Sequence, residues 1–251
     1  MLYIAPLLAS YQSYLPDFME FAKPETFLDG TVLFIDKPLN WTSFDVVNKI
    51  RRSLRSYLGI QKIKVGHTGT LDPLATGLVI ICTGKATKQI MQYQDLDKTY
   101  DADIIFGATT PSFDLETRVD HEYPWEHISH EMVQEALNEY SGEFEQLPPQ
   151  FSAKSVDGKR AYKMARKGKK VDLKQQHVIV QSMEILSFSP PYLTIHVECS
   201  KGTYIRSLAR DIGNYVHSGA HLTGLRRTKI GPHSVDHAVS IENFIENLKL
   251  L

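Results

Sequence analysis

Apolar positions along the chain fall into two periods. Tyr100, Ala102, Ile104 and Phe106 alternate with Asp101 and Asp103, the period-two pattern of a strand with one covered face. Residues 32–35 and 78–82 are short unbroken apolar runs, which predict strands buried on both faces. Residues 178–186 and 193–199 read as a strand pair separated by Ser189-Pro190-Pro191. The helical period occurs four times. Ser43 stands as N-cap before Val47, Ile50, Leu54 and Leu58, and residues 129–140 put Val133, Ala136, Leu137 and Tyr140 on one face ahead of Gly142. A helix starting near Thr203 carries Ile205, Leu208, Ala209, Ile212 and Val216, and Ser240 caps a last one with Ile241, Phe244, Ile245 and Leu248. Strands and helices intermix without regular βαβ spacing, so the expected fold class is α+β with a mixed sheet. Residues 1–29 show no clean period and are interrupted by Pro6, Pro16 and Pro24; they read as an N-terminal extension, with regular structure starting at Thr31. No fixed-period repeat is present, which excludes solenoids and propellers.

With 251 residues, 42% of them hydrophobic, the chain can bury a core of one large domain, alone or with a small appendage. The first 22 residues contain no Lys or Arg, so the apolar opening lacks the charged start of a secretory leader. No apolar run approaches membrane-spanning length. Cys82 and Cys199 lie far apart and read as reduced thiols, so a cytoplasmic location is expected.

The net charge of −1 hides a split. Residues 114–145 hold ten acidic residues against Arg118 alone, whereas residues 154–174 hold nine basic residues against two acidic. In the second segment, charges interleave with Tyr162 and glycines bracket a short helical stretch, which suits an element closing over a phosphate backbone. A solvated helix face accounts for such a run equally well.

The stretch most informative for chemistry is Gly66-His67-Thr68-Gly69-Thr70-Leu71-Asp72-Pro73-Leu74-Ala75-Thr76-Gly77, a tight irregular loop directly before a buried strand. It holds one carboxylate, Asp72, where a rigid loop can present it; an Asx-turn fits the same composition. A phosphate-cradling P-loop is excluded, because Gly84-Lys85 is followed by Ala86 and Val79 replaces the required glycine. A second constellation, Cys199-Ser200-Lys201-Gly202-Thr203-Tyr204-Ile205-Arg206, leads from a strand through a glycine turn into a helix. Positive charge is disfavoured at a helix N-terminus, so Arg206 calls for an acidic or phosphate partner, which an ordinary salt bridge also supplies. The histidines lack zinc-ligand spacing, and no Ser–His arrangement supports a hydrolase.

Several ordered blocks resemble the TruB family of pseudouridine synthases over roughly residues 30–230. They are Val32-Leu33-Phe34-Ile35-Asp36-Lys37-Pro38, the loop around Asp72, Lys98-Thr99-Tyr100, and Ser152-Ala153-Lys154 through Gly168. Ser200 to Arg206 and then Gly219-Ala220-His221 with Leu225-Arg226-Arg227 complete the series. The resemblance implies a pseudouridine synthase fold, with a mixed, largely antiparallel sheet, flanking helices and a basic RNA-binding insertion at about residues 146–174. It implies no cofactor and no metal. By position, Asp72 matches the nucleophile, Tyr100 the tyrosine stacked on the target base, and Arg206 the arginine paired with the aspartate. Tyr204 and Leu225 match residues lining the base pocket, His67 the histidine that fills the space of the flipped base, and Lys37 and Lys154 fall among the substrate contacts. The implied substrate is uridine 55 in the T-loop of tRNA. A monomer with no obligatory protein partner is expected, its residues 30–251 forming the catalytic domain. The stretch after Arg227 is too short for the family's C-terminal RNA-binding PUA domain. Two other readings share these motifs: a tRNA-binding folding helper on the same scaffold, and the guide-RNA-dependent relative of the family.

Overall fold

The computed structural model describes residues 24–152, 154–156, 159–166, 168 and 171–250. One sheet organises them. Its strands are β1 (Val32–Lys37), β2 (Val65–His67), β3 (Thr76–Thr83), β4 (Lys98–Phe106), β7 (Gly142–Gln146), β10 (Gln176–Ser189), β11 (Tyr192–Cys199), β12 (Ala220–Ile230), β13 (His233–Ser234) and β14 (Val239–Ser240). Two small ribbons stand apart, β5 (Ala108–Thr109) with β6 (His121–Glu122) and β8 (Ser155–Val156) with β9 (Lys159–Arg160). The strand order is β14-β1-β3-β12-β4-β11-β10-β7, with β2 on β3 and β13 on β12. Pairing is antiparallel except at β1–β14 and β3–β12, so the sheet is mixed and largely antiparallel, as the sequence implied.

The helices are α1 (Pro24–Asp29), α2 (Ser43–Leu58), α3 (Ile90–Gln94), α4 (His130–Glu139), α5 (Ala161–Ala165), α6 (Ile205–Tyr215) and α7 (Ile241–Leu250). The apolar faces of α2, α4, α6 and α7 join Ala102, Ile104 and Phe106 of β4 in the main core. A second, smaller core of Leu78, Ile80, Ile230 and Val235 covers the other side of β3. Covered on both faces, β3 has no polar side to alternate, and this explains its continuous apolar run.

Three differences from the periodic reading have physical causes. Residues 24–29, placed with the extension, form α1 and send Phe27 fully into the main core; six residues are too few to display a period. The N-cap of α2 is Thr42, closed by a reciprocal capping box with Asp45, so Ser43 is the first helical residue. And β12, with no strand signal in its sequence, occupies the middle of the sheet. Register shifts between Leu222 and Gly224 and between Arg227 and Lys229 break its alternation.

The parallel contact between β3 and β12 requires a glycine. Gly77 has φ of 107°, and a Cβ there would lie 2.3 Å from the Arg227 carbonyl oxygen. Any other residue would drive apart β3, which continues from the loop at residues 68–75, and β12, which carries Arg227.

Candidate active site

Residues 68–75 leave β2, turn over the end of the sheet and enter β3. This loop is fixed mainly by side chains gripping its backbone carbonyls. The Ser43 hydroxyl accepts from Leu71 N at 2.8 Å and donates to Leu71 O at 3.2 Å. Lys37, fully buried, donates from Nζ to the carbonyls of Pro38, Trp41 and Pro73 at 3.0, 2.7 and 3.4 Å, and Asn40 N donates to Pro73 O at 2.8 Å. Arg227, 1% exposed, reaches from β12 to Leu78 O through Nε at 2.7 Å and to the Thr70 and Gly69 carbonyls through its terminal nitrogens at 3.4 and 3.3 Å. Held this way, Asp72 projects toward α6.

Arg206 meets it there. Its Nε lies 2.9 Å from Asp72 Oδ2 and 3.7 Å from Asp114 Oδ2, while its terminal nitrogens donate to Ser112 O at 3.3 Å and Phe151 O at 3.0 Å. The short Nε contact is an ion pair without a well-aligned hydrogen bond. The acidic partner expected for a cation at this helix end is therefore present, and it is shared between two carboxylates. Burial pushes the Asp72 carboxyl above the ordinary aspartate range; Arg206 opposes this, and Asp114 and Glu116 push the same way as burial. The Asp72 side chain keeps 36% of its surface open to the cleft, which softens the desolvation and leaves the carboxylate reachable.

A cleft of about 270 Å³ opens above the pair, walled by Tyr100, Tyr204, Leu225, Lys98 and Arg227. Tyr100 is 9% exposed; burial raises its phenol, and the nearby Arg227 guanidinium opposes the rise. Tyr204 is the N-cap residue of α6, and the side-chain amide of Gln146 clamps it, accepting from Tyr204 N at 2.8 Å and donating to Tyr204 O at 3.1 Å. Burial raises the Tyr204 phenol, whose hydroxyl is near Ser152. Lys98, also buried, bonds the Gln94 and Leu96 carbonyls, and burial lowers its ammonium to about 8, with Arg227 adding to the effect.

The structure thus brings Asp72, Tyr100, Tyr204, Arg206 and Leu225 to one cleft. It places the other three elsewhere. His67 sits half-buried at the start of the loop, where Nδ1 accepts from Gly69 N at 3.2 Å, and burial lowers its pKa. Lys37 is turned wholly to the carbonyls behind the loop, with burial lowering it to about 8. Lys154 is half-buried, its carbonyl bonded by Ala161 N. Of the basic run, Ala153, Asp157, Gly158, Lys167, Lys169 and Lys170 lie outside the described residues. Arg166 pairs with Glu116 at 2.6 Å, joining the basic stretch to the acidic one.

Periodicity missed four residues that build the site: Ser43, Asp114, Gln146 and Arg227. Asp114 lay inside the acidic run, where nothing set it apart; it is 7% exposed, and its loop is tied by Thr110 and Ser112. For Arg227 the family-like Leu225-Arg226-Arg227 block was the usable signal. Gln146 offered none.

In solved structures, the arrangement resembles a Cbf5 chain, from a crystal structure of a Cbf5–Nop10–Gar1 complex, with a TM-score of 0.67 and 26% identity over 89% of this chain. The chain spans 56% of that protein's length. A second structure, an H/ACA RNP bound to a substrate RNA containing 2′-deoxyuridine, matches with a TM-score of 0.64 at 24% identity, covering 91% of this chain and 55% of its own. The fold is that of a pseudouridine synthase.

Family models narrow this further. The N-terminal domain of the TruB family pseudouridylate synthases matches residues 55–205, and the tRNA pseudouridylate synthase B C-terminal domain matches residues 206–250. Among proteins, tRNA pseudouridine synthase B of Phocaeicola vulgatus is 58% identical over 88% of this chain and 94% of its own length. The same enzyme of Flavobacterium johnsoniae is 48% identical over 90% and 99%, and that of Geobacter sulfurreducens 42% over 87% and 70%. The chain belongs to the TruB family of pseudouridylate synthases, and is an isomerase.

Proposed function

We propose that the chain converts the T-loop uridine of tRNA conventionally numbered 55 into pseudouridine, with Asp72 as the nucleophilic carboxylate. The observation that carries this reading is the Asp72–Arg206 pair at 2.9 Å on the floor of a cleft walled by two tyrosines. Identity of 58% with a tRNA pseudouridine synthase B supports tRNA over a guide-RNA-dependent target.

A uridine buried in a folded T-loop must leave its stack before a side chain can reach C1′, and the Tyr100 ring offers a face that offsets the unstacking. The N1–C1′ bond then breaks, the uracil turns while walled in, C5 bonds C1′, and the C5 proton is lost to N1 through solvent or the cleft. No atom is gained or lost. Asp72 either attacks C1′ and is released when C5 bonds, or takes a C2′ proton as the uracil departs to a glycal and returns it. Both routes need the ionised carboxylate, which Arg206 favours against the pull of burial. Arg206 also takes up slack: while the Asp72 charge is neutralised, the guanidinium keeps Asp114 and two carbonyls as partners.

The test is incubation of the purified protein with unmodified tRNA, followed by chemical detection of pseudouridine at each position. Product confined to the T-loop site supports the proposal. Product elsewhere, or undiminished product from Asp72→Asn, overturns it.

A further inference from the structure

Between Asp45 and Asp72 the chain carries six cations, Lys49, Arg51, Arg52, Arg55, Lys62 and Lys64, and not one Asp or Glu. Neutral overall composition conceals this run, because the acids that balance it lie elsewhere in sequence. Five of the six are exposed; Arg51 is half-buried and committed to Asn48 Oδ1 and Val65 O at 2.9 and 2.8 Å. Among the described residues, none of the six has a carboxylate within 4.0 Å. Surface cations usually find a partner; here a whole helix face is left without one.

The face is also shaped. Asn40, Trp41, Asp45, Asn48, Lys49 and Arg52 line an open groove of about 410 Å³. At 100° per residue, Trp41, Asp45, Asn48, Lys49, Arg52 and Arg55 share one side of α2 and its entry turn. Asp45, the one acid in the groove, is committed to the helix cap, where its carboxylate accepts from Thr42 N and Thr42 Oγ1 at 3.0 and 2.6 Å. At its upper end the groove adjoins the catalytic loop, since Asn40 N bonds Pro73 O, next to Asp72. Trp41, half-buried, contributes an aromatic wall.

We infer that this groove holds the phosphate backbone of the RNA strand that runs on from the flipped nucleotide, through Lys49, Arg52 and Arg55. Unpaired cations at helical spacing meet the demand of a polyanion, an aromatic wall suits an unpaired base at the strand's entry, and adjacency to the Asp72 loop fixes which strand arrives there. This is a second RNA-facing surface, separate from the basic run at residues 154–174. It rests on the reading of tRNA as substrate and names where that RNA travels after the active site.

The experiment compares the full chain with the triple variant Lys49→Gln/Arg52→Gln/Arg55→Gln, titrated with labelled unmodified tRNA and with an isolated T stem-loop across salt concentrations. Gln keeps the helix propensity of Lys and Arg, and Arg51 is left untouched. Every phosphate that is no longer neutralised should lower the slope of log K against log salt by about 0.7–0.9, so the variant's slope should fall by about two units or more, with affinity near 0.1 M salt dropping roughly tenfold to a hundredfold. The weakening should be the same on both RNAs. A charge-keeping variant, Lys49→Arg/Arg52→Lys/Arg55→Lys, should bind as the parent does. An unchanged slope overturns the inference. So does equal weakening by the charge-keeping variant, or weakening seen with whole tRNA alone, which would move the binding surface to another arm. Binding slopes are read without turnover, so absence of pseudouridine in the parent would refute the proposed function and leave this test standing.

Discussion

The loop around Asp72 and the outer face of α2 touch each other, yet they are built in opposite ways. In the loop the carbonyls of Gly69, Thr70, Leu71 and Pro73 are each gripped by a side chain, and all three gripping residues, Ser43, Lys37 and Arg227, are buried. On the outer face of α2, Lys49, Arg52 and Arg55 stand in solvent and, among the described residues, form no ion pair within 4.0 Å. A reacting carboxylate has to be held to a fraction of an ångström before substrate arrives, so its surroundings are wired and dry. A phosphate contact works through long-range charge and tolerates side chains that find their partner late. On the proposed function, chemistry and grip fall to neighbouring regions built in these two ways.

The sharpest way to break this division is Asp72→Asn. Turnover should fall by roughly 10³-fold or more, about 4 kcal/mol, while the salt slope of RNA binding stays as in the parent. A changed slope would mean the two regions are not separable. The same variant has a stability signature. Because the folded carboxyl is raised above its unfolded value, the folded state resists ionisation, and stability is lost as pH rises from the unfolded pKa through the folded one. Asn escapes that loss, so its melting temperature at neutral pH should equal or exceed the parent's, and the two should converge in acid.

Next in size are the wiring residues. Gln146→Ala frees the backbone N–H of Tyr204, whose carbonyl keeps Leu208 N as a donor, and Ser43→Ala frees both backbone groups of Leu71, each leaving polar groups unpaired at about 1–3 kcal/mol. We expect kcat to drop roughly tenfold to a hundredfold with RNA affinity within about threefold of the parent. If KM alone moves, the loop is not a catalytic scaffold. Arg206 is probed by pH: its charge lowers the Asp72 pKa, so Arg206→Gln should shift the acid limb of kcat/KM to higher pH as well as reduce the plateau. An unmoved limb would detach the pair from catalysis.

The smallest expected effect lies at the border. Lys98, brought to about 8, lines the cleft, and its loss of charge should give kcat/KM a mild alkaline decline, severalfold, centred near pH 8. Lys98→Gln should flatten that decline. Should it persist, Lys37, also at about 8, is its source.

How far the sequence revealed this differs by region. Strand β4 was legible because one face packs on the core and the other does not, leaving the alternation intact. Strand β3 was legible as an apolar run, and α6 by its spacing. In contrast, β12 carries two register shifts and two arginines whose partners come from β1, β3 and the catalytic loop, so its sequence records tertiary demands in place of a period. Asp72 and Arg206 stood out for different reasons, the first by the glycine-rich loop that presents it, the second by a charge at the wrong helix end, but those signals left an Asx-turn and an ordinary salt bridge open, and their roles came from the family resemblance. Ser43 was noticed and given another task, since a serine before an apolar helix looks like a cap, whereas the cap is one residue earlier and the hydroxyl serves Leu71. Gln146 was invisible because a clamp on backbone atoms needs no neighbouring motif.

The central position of β12 has a consequence for how the molecule comes into being. The hydrogen bond from Arg227 to Thr70 spans 157 residues, and that from Arg206 to Ser112 spans 94. Closing such distances is entropically costly and slow, and a nascent chain on the ribosome has an open slot between β3 and β4 until residues 220–230 emerge. Half-made chains therefore display two unpaired strand edges and no assembled cleft. Residues 55–205 and 206–250, distinct as family models, are one cooperative unit in space: a fragment ending at residue 205 lacks Arg206 and the strand that zips the sheet shut. Such a fragment should remain unfolded and aggregate, and supplying the missing piece in trans should restore little, because it must thread between strands that have already found other partners.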